Sequence, residues 1–276
     1  MPLSRHPRNT AFSWPDRPTD SLRCLTPAQV NAFNADGFCV LKNAVPENDL
    51  SKVLAETDRA ESTLTSSTIM LEDDQTYVYD AAQMSFAVNL VKRSTVIRDF
   101  FRQPLFQHLS HDLLGRDIRL YWDQAVYKKP KSGGLFPWHQ DNGYTFTEPQ
   151  DYLTCWIALN DATKDNGCPW VIPKLHRQGT LVHQDSPRGW EIKDIETSGN
   201  VRFARACPAQ AGDMVIFSSL TPHKTGPNIS EEVRKALIVQ FATDGMCLIE
   251  KDGTRRPQND PLLNMVILEN GAPPIA

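Results

Sequence analysis

The chain of 276 residues contains 40% hydrophobic residues, enough to bury one large core, and its length predicts a single domain over residues 1–276. Its formal net charge of −4 argues against a general nucleic-acid binder, because such binding needs an excess of Lys and Arg on one face. The composition therefore favours small-molecule chemistry.

The cysteines and the chain ends bear on the cellular compartment. The six cysteines form no C-x-x-C pair, which favours free thiols in a reducing compartment over a zinc knuckle or a redox motif. No apolar run approaches the roughly 18 to 20 residues of a membrane span. Neither end resembles a secretory or peroxisomal signal. We expect a cytoplasmic enzyme without a membrane partner, and its oligomeric state stays open.

The chain is predicted to begin with an irregular arm and then a capped helix. Several prolines deny residues 1–25 regular hydrogen bonding, so we expect an arm that contacts the surface through aromatic side chains. Thr26 as N-cap, followed by Pro27 and by Gln29 three positions after the cap, predicts a helix that ends near Gly37.

Residues 26–115 are expected to be mainly helical. After a short strand in "FCVLKNAV", apolar residues return to helical spacing at 46–60 and again at 88–114. Residues 61–82 show no strong period and mix hydroxyls, acids and tyrosines, so a flap is possible there.

Residues 116–250 change to short strand-like segments separated by turn residues. Such spacing indicates an antiparallel sandwich or barrel, for example a jelly roll. We therefore predict a mainly β fold with flanking α-helices and a C-terminal segment at 251–276. The segments are "IRLYWDQAVY", "LTCWIAL", "PWVIP", "GTLVH", "DMVIF" and "KALIVQFA".

Two residues in "PWHQDNGY" are candidate metal ligands. On an extended segment His139 and Asp141 point to the same face, since side chains alternate with a period of two. The H-x-D pattern alone is weak evidence, because both residues can instead make turn hydrogen bonds. Both interpretations stay open on this stretch alone.

A second histidine strengthens the metal interpretation. His223 follows a predicted strand in "GDMVIFSSLTPHKTGPN", and two histidines with one carboxylate form the facial triad typical of non-haem Fe(II) enzymes that bind O₂. Such a site needs further electrons, which 2-oxoglutarate can supply while it loses CO₂. Arg234 suits the far carboxylate of 2-oxoglutarate, and Thr225 can add a hydroxyl. Taken singly, Arg234 is better explained as a solvated charge at a strand edge.

Together these segments resemble a known family. "WHQDNGY", "TCWIALNDATKDNGCPWVIPKLHRQG", "AGDMVIFSSLTPHKTGPN" and Arg234 resemble the phytanoyl-CoA dioxygenase family of Fe(II)- and 2-oxoglutarate-dependent oxygenases. The resemblance covers residues from about 118 to 242. It implies a double-stranded β-helix core, of the jelly-roll or cupin type, and iron bound by His139, Asp141 and His223.

The resemblance also assigns the cosubstrate pocket. It implies that Arg234 with Thr225 binds the C5 carboxylate of 2-oxoglutarate, that Gln124 lies near the other end of the cosubstrate, and that Trp156 lines the pocket. Trp156 can equally be plain core, and Gln124 can bridge strands. The family's usual "P-G-S-H-R" turn reads "PKLHR" in this chain, so we expect a changed backbone or pocket rim there.

The expected reaction is hydroxylation of an unactivated C–H bond of a small molecule, with succinate and CO₂ as products from 2-oxoglutarate and O₂. Desaturation, epoxidation or cyclisation needs only a different fate of the substrate radical, and the sequence does not choose among them. The retained Asp141 disfavours a halogenase. The intact set of ligands and Arg234 disfavours a non-catalytic binding protein.

Residues near the motif give two expectations about the substrate. Tyr79, Phe136 and Tyr144 suggest an apolar or aromatic pocket, although core packing explains such residues as well. The lysines in 128–131 can attract an anionic substrate, or they can belong to a solvated loop. A secondary metabolite or a modified amino acid is favoured over an acyl-CoA, because nothing resembles a dedicated nucleotide site.

Overall fold

The computed structural model describes residues 2–64, 67–70, 76–79 and 83–274, with the backbone alone described at 67–70 and 76–79. Helices occur in the first part of the chain and strands dominate the remainder. The helices are α1 (Pro27–Asp36), α2 (Glu47–Ser62), α3 (Leu90–Arg93), α4 (Thr95–Phe101) and α5 (Pro104–Leu114). The strands are β1 (Phe38–Leu41), β2 (Ser67–Met70), β3 (Thr76–Tyr79), β4 (Met84–Val88), β5 (Ile118–Lys128), β6 (Phe136–His139), β7 (Thr147–Glu148), β8 (Leu153–Ala158), β9 (Pro169–Val171), β10 (His183–Ser186), β11 (Gly189–Ile192), β12 (Arg205–Ala206), β13 (Met214–Ser218), β14 (His223–Thr225), β15 (Arg234–Thr243), β16 (Cys247–Ile249), β17 (Arg255–Pro257) and β18 (Val266–Leu268).

Two antiparallel sheets form the double-stranded β-helix core. The larger sheet runs β1-β13-β8-β15-β5-β18, and β4 also pairs with β5. The smaller sheet runs β12-β9-β14-β6. The predicted fold class, mainly β with flanking helices, is therefore confirmed.

Alternating side chains give the larger sheet two different faces. Leu153, Cys155 and Ile157 of β8 join the main hydrophobic core, which also contains residues of α1 and α5. Thr154 and Trp156 of the same strand point the other way, toward the smaller sheet. The inner face therefore carries polar and aromatic groups into the space between the sheets.

The predicted start and end of α1 are confirmed. The Thr26 hydroxyl accepts a bond from the Gln29 N–H, the Gln29 side chain accepts one from the Thr26 N–H at 2.8 Å, and Gly37 ends the helix with φ 83°. The N-terminal arm is held by the buried ring of Trp14, which meets the edge of His176 at 4.4 Å. These contacts fix the arm beside the turn that follows β9.

The structure differs from the sequence prediction in two places. The five residues of β4 pair with β5 and lie between the possible flap at 61–82 and the helical spacing at 88–114, within the region expected to be mainly helical. In "GTLVH" the strand begins only at its last residue, His183, and Leu181 forms an isolated bridge with Arg5. Both segments are short and buried by partners distant in sequence, so local spacing did not reveal their pairing.

The possible flap at 61–82 falls largely outside the described residues. The backbone strands β2 and β3 pair with each other, whereas the side chain of Tyr79 lies outside the described part. All six cysteines are free thiols. In the described ranges no helix is long and apolar enough to span a membrane.

Candidate active site

The side chains of His139, Asp141 and His223 converge between the two sheets. His139 ends β6 and His223 begins β14, and the two residues are direct partners in the antiparallel ladder. His139 Nε2 lies 3.8 Å, and His223 Nε2 3.5 Å, from Asp141 Oδ1. The ligand atoms of the three residues all lie within 4.8 Å of one another. This spacing allows one metal ion to be bound by all three.

Each of the two histidines is oriented by the carbonyl two residues before it. His139 Nδ1 lies 2.8 Å from Pro137 O, and His223 Nδ1 lies 2.9 Å from Thr221 O. An Nδ1–H that donates to a carbonyl leaves the lone pair of Nε2 for a metal. Burial, together with the nearby His223, lowers the pKa of His139 well below its usual value. This imidazole is therefore neutral, which is the form that binds metals.

The loop after β6 is held by buried hydrogen bonds. Gln140 is extended, with φ −108° and ψ 142°, so that His139 and Asp141 on either side of it share a face, as the sequence indicated. The Gln140 N–H donates to His183 Nε2 at 3.0 Å. The ring of His183 also covers Gly143, where a Cβ atom would overlap it. The glycine in "DNG" is therefore required by close packing, and no motif in the sequence indicates the role of His183.

Thr154 ties the carboxylate of Asp141 to the larger sheet. Its Oγ1 donates to Asp141 Oδ2 at 2.6 Å and accepts from Gln240 Nε2 at 3.2 Å. Burial would raise the pKa of Asp141, but His223, the other ligand histidine and the Thr154 hydroxyl lower it below its ordinary value. The sequence analysis missed Thr154, although its position two residues before Trp156 places both on one face of β8.

Arg234 is a buried cation without a carboxylate partner in the described part of the chain. It is 1% exposed, its Nη1 reaches Val126 O at 3.5 Å, and its Nε has no hydrogen-bond partner. Burial lowers the pKa of Arg234 to about 10, so it stays charged at neutral pH. The guanidinium lies 5.4 Å from the ring of Trp156. A buried guanidinium of this kind fits a bound carboxylate.

The other predicted residues surround the same cavity. It has a volume of about 170 Å³ and also borders the three candidate metal ligands and Arg234. The rings of Phe136 and Tyr144 lie 4.6 and 5.3 Å from that of His139. The predicted residues that line the cavity are Gln124, Phe136, Tyr144, Trp156 and Thr225.

Of the lysines in 128–131, Lys129 pairs with Glu61 and the exposed Lys131 pairs with Glu231, as in a solvated loop, whereas Lys128 differs. Lys128 is fully buried, and its amino group donates to three backbone carbonyls, including Gly134 O at 3.0 Å and Thr225 O at 3.3 Å. Neither a solvated loop nor an anion-attracting group describes this residue. Lys128 instead supports the backbone that carries Thr225.

The "PKLHR" turn has a left-handed residue at its second position. Lys174 has φ 73° and ψ −19°, a conformation that glycine, the family's usual residue there, adopts without steric cost. Neither Lys174 nor Leu175 lines the cavity. His176 in this turn is buried, with Nε2 3.2 Å from Asn34 O, and serves as a structural hydrogen bonder.

A double-stranded β-helix that holds a His-Asp-His cluster beside a buried arginine defines the class of mononuclear non-haem metal enzymes. The chain matches the family described as phytanoyl-CoA dioxygenase (PhyH) over residues 33–236, and it belongs to this family. It is accordingly an iron- and 2-oxoglutarate-dependent oxygenase that acts on small molecules.

Two relatives and one solved structure illustrate the similarity. Methylphosphonate hydroxylase of Gimesia maris is 28% identical over 79% of this chain and 80% of its own length. Peroxisomal phytanoyl-CoA dioxygenase of Homo sapiens is 28% identical over 83% of this chain and 72% of its own length. The structure of the epimerase SnoN in complex with Fe³⁺, alpha ketoglutarate and nogalamycin RO matches with a TM-score of 0.67 and 19% identity, covering 90% of this chain and 95% of that one.

Proposed function

We propose that the protein hydroxylates an unactivated C–H bond of a small molecule, with iron bound by His139, Asp141 and His223. The C5 carboxylate of 2-oxoglutarate is bound by Arg234 with Thr225. The observation that supports this most directly is that the three candidate ligands open onto one cavity with Arg234, which has no carboxylate partner among the described residues. When bound, iron and 2-oxoglutarate would let O₂ oxidise the C–H bond: 2-oxoglutarate would supply two electrons and take up one oxygen atom as it becomes succinate and CO₂, and the other oxygen atom would enter the substrate as a hydroxyl group.

The residues of the chain bind, orient and shield the reactants. Arg234 forms a charge-assisted pair with the cosubstrate, and such a pair is strong where Trp156 and its neighbours exclude water. Phe136 and Tyr144 cover two edges of the His139 ring and keep the reacting side of the cluster apolar. Hydroxylation is the simplest outcome of this arrangement. A desaturase, an epoxidase, a cyclase or an acyl-CoA hydroxylase would use the same residues.

A secondary metabolite or a modified amino acid is the substrate that we propose, and the cytoplasm is the compartment. The aromatic lining of the cavity supports the first point, as does the nogalamycin ligand bound by SnoN. The six free thiols support the second, since oxidising compartments favour disulfides. The net charge of −4 supports a small molecule over nucleic acid as the partner.

An anaerobic titration tests the metal and cosubstrate assignment. Fe(II) and 2-oxoglutarate together should give a visible charge-transfer band in the wild-type protein and none in His139→Ala. His108→Ala is the matched control, because His108 lies on α5 and does not line the cavity. This control should keep the band. A wild-type protein without the band, or an undiminished band in His139→Ala, would refute the assignment.

A further inference from the structure

We propose that the substrate is an uncharged molecule with an aromatic or fused-ring body, bound at the end of the cavity opposite Arg234. Hydroxyl or carbonyl groups on this body form its hydrogen bonds with the protein. This inference rests on the proposed function, because it takes Arg234 as the anchor of the cosubstrate. The distribution of charged residues along the cavity supports the inference.

The cavity extends along β15 from a cationic end to an uncharged end. Arg234 begins β15 opposite Lys128, whereas Gln240 lies opposite Trp122. The six steps along the strand from Arg234 to Gln240 span about 20 Å. Gln240 is also the partner of Thr154, which bonds the ligand carboxylate. The metal cluster therefore lies toward the uncharged end, where a substrate C–H bond must be placed.

Rings and neutral hydrogen-bonding groups make up this uncharged end. The hydroxyls of Tyr121 and Thr145 pair at 3.1 Å, and the ring of Tyr152 meets that of Tyr121 edge-on at 4.9 Å. A register shift between β15 and β5 leaves Tyr121 without a partner, and both Tyr121 and Trp122 line the cavity. In the described chain, neither the Tyr152 hydroxyl nor the Trp122 indole N–H has a hydrogen-bond partner. Such a surface stacks on rings and binds hydroxyl or carbonyl groups.

Among the described residues, the cavity offers no second cation for an anionic substrate. Apart from the two histidines, the ionisable acids and cations that line it are Asp141 and Arg234, together with the tyrosine hydroxyls. Lys128, beside Arg234, uses its amino group on backbone carbonyls. A buried anionic group on the substrate would therefore remain unpaired, which costs free energy.

A cationic substrate is disfavoured for a related reason. Asp141 is the carboxylate that lines the described cavity, and it is assigned to the metal. A substrate cation beside it would compete with the metal ion for the same charge. The neutral class is the one that the cavity accommodates without an unpaired charge.

Three probes of matched shape test this inference. The compounds 2-(4-hydroxyphenyl)ethanol, 4-hydroxyphenylacetate and 4-hydroxyphenethylamine share one ring and a two-carbon arm, and they are neutral, anionic and cationic. Calorimetry without O₂, on the Fe(II) enzyme saturated with 2-oxoglutarate, gives their dissociation constants. The neutral probe should bind at least about tenfold more tightly than either charged probe. Equal or tighter binding of a charged probe, or no binding of any probe, would overturn the inference.

Adding a cation at the uncharged end sharpens the test. Thr145→Lys should improve binding of 4-hydroxyphenylacetate relative to the neutral probe by about tenfold, and Thr145→Met, of similar length, should not. The charge-transfer band with 2-oxoglutarate reports whether each variant keeps its site. The same band shows whether a negative result contradicts this inference or the proposed function. A normal band with the wrong order of probes contradicts this inference alone, whereas a missing wild-type band contradicts the proposed function.

Discussion

The larger and the smaller sheet contribute to the site in different ways. In the larger sheet β5 and β15 have 11 and 10 residues, and one face of that sheet belongs to the main core. In the smaller sheet β6 and β14 have four and three residues, yet they carry both ligand histidines. The long strands of the larger sheet pack stably against the core, whereas the short strands of the smaller sheet depend on hydrogen bonds from loops to position a ligand.

This difference predicts two kinds of mutational effect. Changes on the smaller sheet and its loops should alter metal binding while the fold persists. Changes on the larger sheet should alter cosubstrate binding or stability while the metal cluster persists. Each prediction below can break or refine that division.

The largest effect is expected for Asp141→Ala. Removal of a ligand should reduce turnover to below detection and abolish the charge-transfer band. The free energy of unfolding should change by less than about 1 kcal/mol, because the loop contributes little to the main core. Succinate assays, anaerobic absorption spectra and thermal unfolding measure these three quantities. Retained turnover would remove Asp141 from the metal.

Arg234→Met should raise the KM for 2-oxoglutarate by at least about 100-fold, because a buried, charge-assisted pair is lost. Without cosubstrate the variant should be no less stable than the wild type, since among the described residues the buried guanidinium has no carboxylate partner and its Nε has no hydrogen-bond partner. Arg234→Lys keeps the charge but not the two-pronged geometry and should give an intermediate KM. An unchanged KM in Arg234→Met would place the anchor elsewhere.

His183→Ala should weaken iron binding by about 10- to 100-fold, as is usual for groups that orient a ligand through a hydrogen bond. The lost partner is the Gln140 N–H, next to both ligands. His183→Asn offers an acceptor in place of Nε2 and should restore part of the affinity. Competition with an iron chelator measures the change. An equal loss of 2-oxoglutarate affinity would contradict a role confined to the loop.

The smallest effect concerns acid stability and His176, in the turn between β9 and β10. Burial lowers the pKa of His176 to about 4 from its usual 6.5, so the unfolded chain binds a proton between these values that the folded protein does not. Stability is therefore complete above pH 6.5 and falls as the pH drops toward 4. Between about pH 7.5 and about pH 5.5, His176→Gln should lose about 1 kcal/mol less than the wild type in chemical denaturation. Equal losses would contradict this origin.

The sequence predicted the larger sheet better than the connections around it. "KALIVQFA" and "LTCWIAL" were recognisable as strands because they are apolar segments separated from their neighbours by turn residues. The ligand histidines were identifiable because H-x-D, a second histidine and Arg234 follow in a specific order. The short strand β4 has no such signal, since its five residues depend on β5 for their pairing.

Contacts between segments that are distant in the chain could not be predicted from the sequence. His183 acts on Gln140, and "GTLVH" contains nothing that indicates a partner so far away in the chain. Lys128 stands beside another lysine and a proline, a composition typical of surface loops, yet it is fully buried under three carbonyls. Its amino group pairs with the carbonyls of Gly134, Thr225 and Gly226, which allows this charge to be buried.

The burial of Arg234 also affects how each turnover ends. Decarboxylation removes C1 of 2-oxoglutarate, and the succinate that remains keeps the carboxylate assigned to Arg234. On the proposed assignment, the contact that recruits the cosubstrate must be broken again, in a buried place, before the next cycle begins. Tight capture of the cosubstrate therefore implies slow departure of the product and competitive inhibition by succinate.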